Sequence, residues 1–303
     1  MKKILYIAIS LLVITGCKKN QIAQISNKAT GAQLKFFHAA PGTPAIDAFV
    51  NGIQITPSAT APVTDNGLAT SVYTGYTYLS VFPGSNYAVV KSGSTIIKIV
   101  TSTPVPALVS PQTSGPGTTI TSATQATVDG GAYSILTTGL PGSATTPLTS
   151  IIVQDVFPAA TAGNAYIRLA HLIPNGGAVD IIGTYTVTGA ASSTAVTPIT
   201  NITYGTVTPF VAVSVNSLST TSYVFQAYLT GTTTKLGATT TFSLTPGRYY
   251  TLILKGLAAD YPVPGTSITL KATARPTLPV TDPTTKYPEI YFNVPGLTFY
   301  TNK

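Results

Sequence analysis

A ten-residue stretch occurs twice in this chain, and the fold must accommodate it in both places. His38-Ala39-Ala40-Pro41-Gly42-Thr43-Pro44-Ala45-Ile46-Asp47 returns 133 positions later as His171-Leu172-Ile173-Pro174-Asn175-Gly176-Gly177-Ala178-Val179-Asp180. A short run leads into each, Leu34-Lys35-Phe36-Phe37 and Ile167-Arg168-Leu169-Ala170. The shared order is apolar, basic, apolar, apolar, His, two apolar, Pro, loop, Ala, β-branched, Asp. Further on, Tyr249-Tyr250-Thr251-Leu252-Ile253-Leu254-Lys255-Gly256-Leu257 matches Ala132-Tyr133-Ser134-Ile135-Leu136-Thr137-Thr138-Gly139-Leu140 at a shift of 117. The smaller shift leaves the first unit 16 residues longer than the second, and the Pro/Ser/Thr/Gly-rich loop at 104–117 is the place for most of them. We therefore expect a duplicated unit, each copy with its own core, as the 303-residue length allows.

Turn signals recur about every ten residues, and no segment has a 3.6-residue apolar period. Only 8% of residues are charged, while 26 Gly and 23 Pro punctuate runs rich in β-branched and aromatic side chains. That pattern suits short strands and predicts an all-β chain of sandwiches or barrels. Side chains alternate along a strand, so Leu34, Phe36 and His38 share one face, and Lys35 and Phe37 the other. Ile167, Leu169 and His171 share a face in the same way, with Arg168 opposite. Pro41 and Pro44 stop the first strand; Asn51-Gly52 predicts a hairpin.

The amino terminus carries an export pattern. Met1-Lys2-Lys3 is cationic, and residues 4–14 are an apolar run too short to span a bilayer as a helix. The run ends in Ile14-Thr15-Gly16-Cys17, which resembles a bacterial lipobox and contains the protein's one cysteine. The resemblance implies that Cys17 is the first mature residue and carries acyl chains, each buried CH₂ adding about 0.8 kcal/mol of membrane affinity. With Cys17 acylated, no disulfide can form in the mature chain. The expected location is the cell envelope, lipid-anchored, at the outer membrane, with the exposed face left open. Residues 1–16 are read as signal peptide, 17–33 as flexible tether, 34–140 as the first β-sandwich and 141–164 as linker. Residues 165–275 are read as the second sandwich, and 276–303 as an aromatic tail docked on it.

These motifs are similar to those of the family catalogued as domain of unknown function 4397, found in bacterial surface proteins. The similarity lies in Phe37-His38-Ala39-Ala40-Pro41, Pro44-Ala45-Ile46-Asp47 and Asn51-Gly52, and again in Ala170-His171, Pro174 and Ala178-Val179-Asp180. It implies two tandem immunoglobulin-like β-sandwich domains in a lipoprotein of a Bacteroidota-like bacterium. It implies no activity. Two departures weaken a cation-binding reading of the loop. Gly42 and Asn175 stand where the family has Asp, and Ile181-Ile182-Gly183 replaces a turn.

The net charge of +8 is not a nucleic-acid footprint. Lys2, Lys3, Lys18, Lys19 and Lys28 lie in or just after the export segment, leaving eleven basic against eight acidic residues, singly dispersed. His38 with Asp47 and His171 with Asp180 are the constellations worth testing for catalysis. They are read instead as structural strand-corner pairs, each imidazole bonding to the Asp or to a backbone group. Two His, one acylated Cys and a single Glu, Glu289, supply neither a zinc site nor a glycosidase carboxylate pair. No metal, cofactor or catalytic residue is expected. The seventeen Tyr pack in strands or present rings to sugars or peptides. The expectation is a non-catalytic envelope lipoprotein, structural or binding. Its partners would be the membrane, through Cys17, and an envelope protein or polysaccharide. Polysaccharide capture is the alternative.

Overall fold

The computed structural model describes residues 30–57, 61–65, 68–73, 75–102, 113–186, 193–195, 199–215, 221–274, 289–291 and 293–303. Gly31–Lys303 forms one compact unit. The described residues contain strands and turns and no helix. Cys17 and the Ile14, Thr15 and Gly16 before it lie outside them, as does 103–112, most of the predicted central loop.

Four main sheets carry the molecule. In the first, Ala32–His38 lies between Ala132–Thr138, to which it is parallel, and the short antiparallel strands Val81–Phe82 and Ala88–Val90. Thr149–Gln154 closes that sheet beside Ala132–Thr138. The second sheet runs Ile53–Gln54, Ile46–Val50, Gly93–Thr101, Thr119–Thr127. The two share a core of Leu34, Phe36, Ile46, Ala48, Ile97, Ile99, Tyr133 and Ile135. The expected face of Leu34, Phe36 and His38 is therefore the one turned to this core.

The other two sheets repeat the plan. Asn164–His171 is parallel to Tyr249–Lys255, which Gly296–Thr301 flanks, and Val211–Ser214 forms the opposite edge. Facing them are Val179–Thr186, Thr221–Leu229 and Thr240–Leu244, with Ser193–Ala195 and Ile199–Ile202 on Val179–Thr186. Ile167, Leu169, Val179, Ile181, Phe225, Phe242, Leu252 and Leu254 fill the space between. The segment 141–164 thus contributes a strand to the first sheet, and the tail contributes the edge strand Gly296–Thr301 to the third.

Local chemistry repeats with the topology. The Tyr133 hydroxyl accepts from the Val128 amide at 3.1 Å, and the Tyr250 hydroxyl from the Thr245 amide at 3.0 Å, both five residues upstream. Each ring thereby ties its strand to the preceding turn. The strands end at Gly139 (φ +100°) and Gly256 (φ +97°), left-handed positions where a Cβ would lie 2.1 Å from the Pro147 carbonyl oxygen and 2.4 Å from that of Val294. No side chain fits either place.

The first and third sheets also bury their outer faces against each other. Phe37, Ala39 and Leu136 meet Ala170, Leu172, Ile253 and Tyr300 across this seam, and Phe37 stacks on Tyr300 with ring centroids 5.8 Å apart. The four sheets therefore form a stack. Beside it, Tyr261–Pro262, Thr269–Leu270 and Glu289–Ile290 form a small sheet whose Ile268 and Leu270 cluster with Leu140 and Leu257. The hairpin Ala61–Asp65 with Leu68–Tyr73 had no counterpart in the sequence reading.

Candidate functional site

Each motif histidine ends its strand where the chain turns into the Pro loop, and both rings are fully buried. His38 Nδ1 accepts from the Ala40 amide at 3.3 Å, and Nε2 faces the Pro44 carbonyl oxygen at 3.0 Å. His171 has the same partners, the Ile173 amide at 3.3 Å and the Gly177 carbonyl oxygen at 3.0 Å. An accepting Nδ1 leaves Nε2 as the donor, so the partners select the neutral Nε2–H tautomer. Tyrosine rings stand edge-on to both, Tyr76 and Tyr78 beside His38 and Tyr204 beside His171. Burial lowers the His38 pKa to about 4 against the lifting effect of the Pro44 and Thr43 carbonyls, and lowers that of His171 in the same direction.

Of the two partners left open by the sequence, each ring takes the backbone. The pairings His38 with Asp47 and His171 with Asp180 do not form. Asp47 accepts from Thr56 Oγ1 at 3.0 Å and Gln54 Nε2 at 3.2 Å. Asp180 accepts from the Asn201 amide at 2.7 Å and Thr230 Oγ1 at 2.9 Å, and that amide is the main reason its pKa is lowered. The reason is geometric. The Asp begins the next strand, where its carboxylate serves the adjoining turns, while a carbonyl within the Pro loop already stands at hydrogen-bonding distance from the ring.

Residues 32–182 match the family described as Domain of unknown function (DUF4397). The DUF4397 match takes in the first two sheets and continues through the second histidine corner into Val179–Thr186. No curated protein matches the chain by sequence. Among solved structures, a candidate cell adhesion protein of Bacteroides fragilis NCTC 9343 aligns over 89% of this chain and 98% of its own, at 11% identity and TM-score 0.23. A leucine-rich repeat protein from Bacteroides thetaiotaomicron VPI-5482 aligns over 73% of this chain and 25% of its own, at 11% identity and TM-score 0.18.

The seam holds groups that the sequence reading passed over. Arg168, 2% exposed, donates from Nη2 to Asp155 Oδ1 at 2.5 Å and Ser134 Oγ at 2.9 Å, and from Nε to Thr251 Oγ1 at 2.9 Å. Asp155 also accepts from the Ser134 hydroxyl at 2.8 Å, the Tyr87 hydroxyl at 2.5 Å and Asn302 Nδ2 at 3.3 Å. Tyr300 donates to Ser134 Oγ at 2.8 Å, and Thr251 to Asn302 Oδ1 at 2.6 Å. The network ties the Tyr87, Ser134 and Asp155 side of the seam to the Arg168, Thr251, Tyr300 and Asn302 side.

Lys35 occupies the place in the first motif that Arg168 has in the second, and is 1% exposed. Its ammonium donates to the carbonyls of Thr301 at 2.8 Å and Ser85 at 3.1 Å, and lies 4.9 Å from the Tyr87 ring centroid. Burial lowers its pKa, and the Asp155 charge opposes that shift. A sequence signal existed. Both lead-ins carry one basic residue three places before the His, in a chain that is 8% charged.

A cleft opens at each edge of the seam. One, of about 390 Å³, is apolar, with Val153, Val156, Pro158, Val207 and Phe210 around the Arg168 guanidinium, which stacks 4.6 Å from the Phe210 ring centroid. The other, of about 630 Å³, lies between the turn after Val81–Phe82 and the Gly296–Thr301 edge. Gly84, Ser85, Asn86, Thr245, Arg248, Tyr250, Phe299 and Thr301 are among the residues that line it.

Proposed function

We propose that the chain is a lipid-anchored, non-catalytic module of the cell envelope, two tandem immunoglobulin-like β-sandwiches from one duplicated unit. Acyl chains on Cys17 would hold it at the outer membrane. The observation that carries the reading is the histidine corner. Both imidazoles are buried, with each nitrogen engaged by the backbone, so neither has a lone pair to offer as a general base. The identical corners, the matching tyrosine ties at 133 and 250 and the paired terminal glycines at 139 and 256 support duplication. Anchoring is supported by the lipobox resemblance at residues 14–17 and by the apolar run before it. The test is fractionation of cells expressing the wild type and Cys17→Ala. The variant should leave the membrane fraction, and unchanged partitioning would refute the anchor. Turnover of an ester or glycoside by the purified protein would refute the non-catalytic reading.

A second reading, polysaccharide capture, is favoured by the larger cleft. It combines aromatic surface with hydroxyl, amide and guanidinium groups, the mixture a sugar ring engages.

A further inference from the structure

We infer that the cleft between the 83–86 turn and the Gly296–Thr301 edge is a binding site for a carboxylate-bearing saccharide, with Arg248 as the anion receptor and Phe299 as the platform under the sugar ring. The inference rests on the polysaccharide-capture reading and deepens it.

Three observations converge. First, the cleft presents polar side chains that the fold does not use. The guanidinium of Arg248, the Asn86 amide and the hydroxyls of Ser85, Thr245 and Thr301 line it, and none of these side-chain groups makes a hydrogen bond or ion pair with another described residue. The seam behind them differs. Asp155, Ser134, Thr251, Tyr87 and Asn302 are joined there in one connected hydrogen-bond network.

Second, the lining is cationic. No carboxylate lines the cleft and Arg248 does; behind the wall the Lys35 ammonium, held by the carbonyls of Ser85 and Thr301, offsets the buried Asp155 charge. Ser85 and Thr301 form opposite walls. A planar guanidinium receives a carboxylate through two parallel N–H bonds, which a neutral sugar cannot reproduce.

Third, Phe299 is 36% exposed although it sits in a sheet, and Phe242 and Tyr250 brace it at centroid distances of 4.5 and 5.9 Å. A braced, half-open ring offers an apolar face at little cost in ordering. An anion, several hydroxyls and one apolar face together describe a uronic-acid ring. A free carboxylate uses neither of the last two, and a polyglutamate chain has no apolar ring face to lay on Phe299. The volume of about 630 Å³ falls within the range of roughly 300–1,000 Å³ usual for small-ligand sites.

The experiment is calorimetric titration of the detergent-solubilised full chain with polygalacturonate, dextran and polyglutamate. We expect polygalacturonate to bind at least tenfold more tightly than either of the others, and less tightly as salt is raised. Arg248→Gln should weaken it tenfold or more, Arg248→Lys should weaken it less, and Asn86→Ala should weaken it several-fold. Val156→Ser, at the opposite cleft, should leave it unchanged. Arg248 and Asn86 are exposed, so these variants keep the fold, and equal melting temperatures would verify it. Polyglutamate binding as tight as polygalacturonate, or full affinity in Arg248→Gln, overturns the site. Dextran binding as tight, and indifferent to Arg248→Gln, overturns the acidic class and leaves capture standing. Binding of none of the three overturns both, while the anchored-module reading is decided separately by Cys17→Ala.

Discussion

At the scale of the residue, the histidine corner is a proton-linked device. His38 stays neutral in the fold because burial holds its pKa near 4, whereas in the unfolded chain it titrates near the ordinary 6.5. Between those values the unfolded chain takes up a proton that the native state refuses, so stability falls as pH drops from about 6.5 towards 4 and levels off below. The shift corresponds to roughly 3 kcal/mol, and His171 adds to it in the same direction. Urea denaturation at pH 7.5 and 4.5 checks this. His38→Ala should lose about 2–3 kcal/mol at pH 7.5, from the cavity and the unpaired Ala40 amide and Pro44 carbonyl, and should show a shallower pH dependence than wild type. Equal slopes would refute the linkage. The tyrosine ties allow a matched test. Tyr133→Phe and Tyr250→Phe should each cost about 1 kcal/mol, because each removes one hydroxyl that accepts a turn amide. The histidine itself was legible, since a polar ring on an apolar face must find a partner. Its partner was not, because Pro44 and Asp47 both lie within one loop of His38, six and nine positions on, and only the path of that loop brings one of them to Nε2.

At the scale of the element, the inner strands are buried on both faces, and this is where the alternation pattern conceals the outcome. The motif puts Lys35 and Arg168 opposite the apolar face, as on a strand with one wet side, yet the structure leaves them 1% and 2% exposed. What makes this tolerable is Asp155, which lies just past Thr149–Gln154 in a segment read as the linker that joins the two copies, with a strand expected at Ile151-Ile152-Val153. A buried pair stripped of one member leaves an uncompensated charge, so Asp155→Asn or Arg168→Met alone should cost about 3–5 kcal/mol. Asp155→Asn combined with Arg168→Met should cost clearly less than the sum of the two single changes, since neither charge of the pair then remains. A double-mutant cycle by thermal or urea unfolding measures the difference, and simple additivity would contradict the coupling. The aromatic tail was legible as something that docks. That Gly296–Thr301 docks as an edge strand beside Tyr249–Lys255 depends on hydrogen bonds between residues about fifty positions apart, which no local pattern encodes.

At the scale of the whole molecule, the seam converts two stacks into one unit. Its apolar contacts and the Arg168–Asp155 network span both halves, so wild type should show a single calorimetric unfolding transition with equal calorimetric and van't Hoff enthalpies. Asp155→Asn, which weakens the seam and leaves the two main core clusters intact, should separate that peak into two or broaden it. Two resolved transitions in wild type would refute the coupling. The seam also creates the clefts, since each opens where the edge of one inner sheet passes the edge of the other. The lining groups of the larger cleft, Asn86, Arg248 and Phe299, lie far apart in the chain, and nothing in their local sequence marks them as neighbours. The sequence alone determined the strand content, the two equivalent histidine turns and the parity that sends Leu34, Phe36 and Ile167 inward. Those follow from turn chemistry and two-residue periodicity, both local. Only the tertiary structure decided that Lys35 and Arg168 are buried, that Asp155 answers them and where a ligand could enter, because desolvation and charge pairing depend on which surfaces meet.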